Sequence, residues 1–168
     1  ELVGDRSSPS PQLHDNYYAL AYRGKLPFCA SSVAIHRATL IETGGFSENE
    51  PLGADQDMWC RLLTRRSFAL NSFPHATYHE DAAHRVCTTT LPTQELPFSR
   101  RIQEQLDCNQ IPAAQQSDAK RYIAAHLLHL ATMNTRHKRW SVAQALHADR
   151  RTKALPTKKY LKLCLLKI

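Results

Sequence analysis

Between residues 31 and 85 the spacing of apolar and polar positions changes several times, and each change predicts an element. Residues 32–35 form a short apolar run with two β-branched side chains, Val33 and Ile35, which suits a buried strand. Residues 37–43 read as a brief helix. It stops at Gly44 and Gly45, where a helix takes a left-handed residue, and Phe46 follows as a hydrophobic anchor. A polar loop with Pro51 and Gly53 leads to a second helix beginning near Asp55. Its inner face is Met58, Trp59, Leu62 and Leu63, and its end turns basic at Arg61, Arg65 and Arg66, the favourable sign there. Strand-like segments are expected at 68–70 and around Thr77 and Tyr78.

On either side the pattern is plainer. Residues 5–16 are loop-like, residues 17–22 form a short helix ended by Gly24, and Pro27 leads into the first strand. Residues 87–97 read as an irregular linker and a boundary. Beyond it a helix is expected at 98–106. A second is capped by Ser117, with Asp118 in its first turn and a stripe of Tyr122, Ile123, Leu127, Leu130 and Ala131. A third carries Trp140, Ala143 and Leu146. Pro156 opens a last, basic amphipathic helix with Leu161, Cys164, Leu165 and Ile168 on one face.

Composition narrows the class. The chain has 168 residues, about one domain, and its 42% apolar and 22% charged content is that of a globular protein. A net charge of +7 admits nucleic acid, an anionic membrane surface or a phosphate-bearing substrate as partner. The five cysteines (Cys29, Cys60, Cys87, Cys108 and Cys164) lack zinc-ligand spacing and read as reduced thiols of a cytoplasmic protein. His126 and His129 lie on an apolar helix without acidic companions and read as part of its face. No signal peptide is visible, and no run approaches the roughly 20 apolar residues of a membrane span. The opening without Met suggests a chain that starts in mid-protein.

The candidate chemistry sits on the second helix. A carboxylate at the mouth of a helix, after a glycine-bearing loop, is held stiffly and can face a cleft, as a general base must. Asp55 and Asp57 also suit plain capping of that helix.

The ordered set Ser31, Ser32, Arg37, Gly44, Gly45, Phe46, Gly53, Asp55, Asp57, Trp59, Arg61 and Leu62 resembles the acceptor half of the inverting family 2 glycosyltransferases, which have the GT-A fold. The resemblance covers residues 17–88. Two positions depart from the family pattern: Ala54 replaces the Glu of a Glu-Asp pair, and His36 the first Arg of an Arg pair.

The resemblance implies an α/β fold, the C-terminal half of a GT-A domain (1–95) followed by a helical extension (96–168), with the nucleotide-binding half absent. It also implies Asp55 as general base, and an acceptor site framed by Gly44, Gly45, Phe46 and Trp59. Arg85 would face the departing diphosphate. His79 would serve as a ligand to a divalent metal, Mn or Mg, held mainly by the absent half. The implied partners are a nucleotide-sugar donor and a saccharide or lipid-linked acceptor, with no specific nucleic acid. Residues 156–168 suit an anionic membrane surface, and the expected place is cytoplasmic or peripheral on the inner face.

Two other classes stay open. The basic tail suits a nucleic-acid or anionic-surface binding module, although no RNP-like aromatic pattern, zinc finger or helix-turn-helix accompanies it. The departures at Ala54 and His36 suit an inactive transferase-like scaffold.

Overall fold

A computed structural model describes residues 10–23, 26–71, 73, 76, 77, 79, 81 and 90–155. The elements are β1 (Gln12–His14), α1 (Tyr17–Ala21), a 3-10 turn (Ala30–Ser32), α2 (Arg37–Glu42), α3 (Ala54–Leu63) and β2 (Phe68–Leu70). Then come α4 (Pro97–Asp107), α5 (Ala113–Arg136), α6 (Trp140–Ala148) and a second 3-10 turn (Arg150–Ala154).

Helix α5 is the spine. Its buried Ala119, Ala124 and Ala131 let neighbouring backbones approach closely, and α1, α4, α6 and the final turn all pack on it. Helix α3 rests on α1 and α4 and buries Met58, Trp59, Leu62 and Leu63, the face its periodicity predicts. A single cluster joins Tyr17 and Tyr18 to Met58 and Trp59, and these to Phe98, Ile102, Ile123 and Leu127. The expected division between residues 95 and 96 is therefore crossed by the core. Residues 90–96 are neither helix nor strand, yet they are fastened along α5. The Pro92 carbonyl accepts from Asn134 Nδ2 at 2.9 Å, and the Leu96 N–H donates to His126 Nε2 at 3.1 Å.

Several expectations change. Residues 33–36 are extended but unpaired: Val33 and Ile35 pack on the core while no strand lies beside them among the described residues. The pairing partner of β2 is instead β1, antiparallel, with Leu13 opposite Ala69. That strand falls inside a stretch expected to be loop, and its signal is weak because Leu13 points to solvent (77% exposed). Thr77 lies in no strand, and Tyr78 lies outside the described residues, as do Gly24 and 156–168. Among the described residues the sheet is confined to this antiparallel pair, with no parallel α/β layer.

Helix α5 starts four residues before Ser117, with Pro112 at the N-cap. Asp118, expected to favour the first turn, is instead a tertiary contact that accepts from Asn16 Nδ2 at 2.9 Å. Trp140 opens α6 as expected but is 58% exposed, while Ala143 and Leu146 are buried. Among the described residues no helix is long and apolar enough to cross a membrane. Cys29, Cys60 and Cys108 are free thiols, and burial raises the Cys60 pKa well above the ordinary value, which makes it unreactive. Cys87 and Cys164 lie outside the described residues.

His126 has a consequence for stability. Burial, then the nearby His129 and Arg151 charges, lower its pKa to about 3, so it is a neutral acceptor for Leu96. The unfolded chain takes up a proton near pH 6.5 that the folded chain refuses. This contribution to stability is complete above that pH and is lost as pH falls towards 3. Between pH 7 and 5 the loss should be about 2 kcal/mol. His126→Gln keeps an acceptor but cannot titrate. It is expected to flatten the acid limb in urea melts at pH 5 and pH 7; an unchanged slope would show that His126 does not govern it.

Candidate active site

Three local devices build the site. At the end of α2 the chain reverses through Gly44 (φ +86°) and Gly45 (φ +66°). The Gly45 N–H reaches the Leu40 carbonyl at 3.0 Å and the Gly44 N–H the Ile41 carbonyl at 2.9 Å, a Schellman closure. The reversal places Phe46, 44% exposed, edge-on to the Trp59 ring at 5.9 Å. Helix α3 then opens at Gly53, whose φ of +80° only glycine adopts readily.

Gly53 is also confined. A Cβ there would lie 3.1 Å from both Leu96 Cδ1 and Phe98 Cδ1. Gly53→Ala combines backbone strain with this crowding and is expected to destabilise the fold by about 1–3 kcal/mol, read as a lower Tm. No drop in Tm would mean that the loop adjusts freely.

The third device is Asp57. Its side chain is 2% exposed and both oxygens are engaged. Oδ2 accepts from Arg61 Nε at 2.8 Å and Ser47 Oγ at 3.2 Å; Oδ1 accepts from Arg101 Nε at 2.6 Å. Arg61 continues to the carbonyls of Thr43 and Gly45, the latter at 2.6 Å, and Arg101 continues to Glu50 Oε2 at 2.6 Å. One buried carboxylate thus fastens the glycine turn, the following loop and α4 to α3.

Asp55 is placed differently. It is half-buried in the first turn of α3. Among the described residues its side chain takes one hydrogen bond, from the Gln56 N–H to Oδ1 at 2.8 Å, and no ion pair. The next residue is held from α5, where Tyr122 donates its hydroxyl to Gln56 Oε1 at 3.0 Å. Asp55 therefore stands on a fixed helical turn with its second oxygen uncommitted among the described residues. Such a group can accept a proton from a hydroxyl brought within about 3 Å.

The other expected residues divide. Gly44, Gly45 and Phe46 lie on one turn, fastened to α3 through Arg61. Trp59 is 1% exposed, so it supports Phe46 from beneath and has no surface of its own for an acceptor. Its indole Nε1 is buried without a hydrogen-bond partner among the described residues. His79 is exposed and lies outside every helix and strand, and Arg85 lies outside the described residues.

Among the described residues no group of three or more His, Cys, Asp or Glu side chains could hold a metal ion. Asp55 and Asp57 do not fit a metal as a pair, because the arginines occupy Asp57. A cleft of about 710 Å³ runs between residues 32–36 and 67–71, floored by Trp59, Leu62 and Leu63. It shares only Trp59 with the expected site and does not include Asp55.

The sequence reading missed Arg101, Glu50 and Tyr122. Arg101 and Tyr122 come from the segment expected to be a separate extension, and the only hint is a cation, Arg101, beside the buried Ile102 of α4. No protein-family model, curated protein or solved structure matches the chain.

Proposed function

We propose that this chain is the acceptor-side part of an inverting glycosyltransferase, with Asp55 as the general base. The observation that carries the reading is the contrast between two carboxylates on one helical turn. Asp57 is buried and saturated by arginines, while Asp55 is half-buried with one oxygen uncommitted among the described residues. Gly53 at the N-cap has no side chain to accept from the first turn; Asp55 Oδ1 takes the Gln56 N–H there, and its other oxygen is left over among the described residues.

In this reading the acceptor hydroxyl lies against Asp55, with Phe46 and the Gly44–Gly45 backbone beside it. The carboxylate takes the hydroxyl proton as the oxygen attacks the anomeric carbon. The bond to the nucleoside diphosphate breaks on the opposite face and its electron pair leaves with the phosphate, so configuration inverts. Donor and divalent-ion contacts are assigned to residues outside this chain.

The test is Asp55→Asn in the whole polypeptide that carries this sequence. Release of nucleoside diphosphate from a panel of UDP-, GDP- and dTDP-sugars is measured with saccharide acceptors. Turnover should collapse while donor affinity stays. Unchanged turnover, or no transfer by the wild-type protein with any donor, removes the assignment.

A further inference from the structure

We infer that Arg101, on α4, is a positioning residue for Asp55, acting through Asp57 and Glu50. The inference rests on the reading of Asp55 as base and extends it to the segment after residue 96. Arg101 does not touch Asp55. It grips the turn that carries Asp55 from two sides: Nε on Asp57 Oδ1, two residues further along α3, and Nη2 on Glu50 Oε2, in the loop that enters α3.

The geometry favours a rigid hold. Asp57 and Glu50 are 2% and 14% exposed at the side chain, so water competes little for them. The planar guanidinium fixes both carboxylates in one orientation, which an ammonium could not do. Hydrogen bonding to Glu50, and with it to Asp57, raises the Arg101 pKa further, so the guanidinium stays charged.

Two more contacts come from the same segment. Leu96 and Phe98 close on Gly53, and Tyr122 holds Gln56. Residues 50, 53, 56 and 57, on both sides of Asp55, are thus met by side chains from residue 96 onward. Moving a reacting group by about 1 Å can cost on the order of 100-fold in rate, so such a hold bears directly on chemistry.

The experiment compares Arg101→Gln with Arg121→Gln, which removes an α5 ion pair to Asp118 away from the loop. Amide hydrogen exchange is read peptide by peptide, together with the transfer kinetics. Arg101→Gln is expected to speed exchange over residues 44–57 at least about tenfold while α5 keeps its protection. It should also lower kcat by about 100-fold with a much smaller change in acceptor KM. Arg121→Gln should do neither.

Unchanged exchange over 44–57, or an even rise across α3 to α6, would overturn the inference. So would a loosened loop with full kcat in a protein where Asp55→Asn is inactive. If Asp55→Asn itself keeps its turnover, the glycosyltransferase reading fails. The exchange data then decide separately whether Arg101 holds the loop.

Discussion

Replacing Asp57 with alanine is expected to destabilise the fold by about 3 kcal/mol, the lower end of what breaking a buried ion pair costs. The loss is not that of one contact. Arg61 and Arg101 would both face the vacated site, with part of their charge left in a water-poor interior. The lower end applies because the two arginines keep 23% and 33% of their side-chain surface in solvent and retain other partners, Gly45 and Glu50. The exposed pair of Arg66 and Glu42 sets the contrast. Both side chains are about half exposed or more, and Glu42→Gln should cost under about 0.5 kcal/mol. Guanidinium unfolding of the two variants checks both values. A shift below about 1 kcal/mol for Asp57→Ala would mean that the buried carboxylate offsets no more than its own desolvation.

Asp55→Asn is expected to act on rate and not on stability. Removing a general base lowers turnover by roughly 10²–10⁴-fold. The amide oxygen of Asn can still accept from the Gln56 N–H, so the helix loses only a charge–dipole contribution of about 0.5 kcal/mol. The pair of variants therefore separates two roles within one helical turn. Asp57→Ala should lower the unfolding midpoint, while Asp55→Asn should leave the midpoint in place and stop transfer. Turnover within a few-fold of wild type for Asp55→Asn would return that residue to helix capping.

What could be read from the sequence was what is encoded locally. Helices α2 and α3 carry their own stop and start signals in Gly44, Gly45 and Gly53, and both stand where those signals place them. The 24-residue α5 declares its buried stripe through Tyr122, Ile123 and Leu127, but not its start. Pro112 outcompetes Ser117 there, because Asp118 is drawn to Asn16 and the Gln115 side chain to the Asp15 carbonyl. Strand β1 depends on a partner 56 residues away and has almost no signal of its own.

The candidate site divides in the same way. The Asp57–Arg61 pair has helical i, i+4 spacing and could be read from the chain. The Asp57–Arg101 pair spans 44 residues, and nothing local to either residue announces it. Spacing alone leaves Asp55 and Asp57 alike as carboxylates in the first turn of α3, and only the resemblance singles out Asp55; in the fold, burial and the two arginines separate them.

The glycine turn, the loop to Gly53 and helix α3 take their shape partly from Leu96, Phe98, Arg101 and Tyr122. The segment after residue 96 is therefore not an exchangeable cassette. A chimaera spliced in the 90–96 stretch would inherit one parent's loop and the other parent's grips. It would keep its helices while losing the register between them. In this chain the unit of inheritance is the pair of segments, so a change at Glu50 or Asp57 calls for a matching change at Arg101, on the far side of the splice.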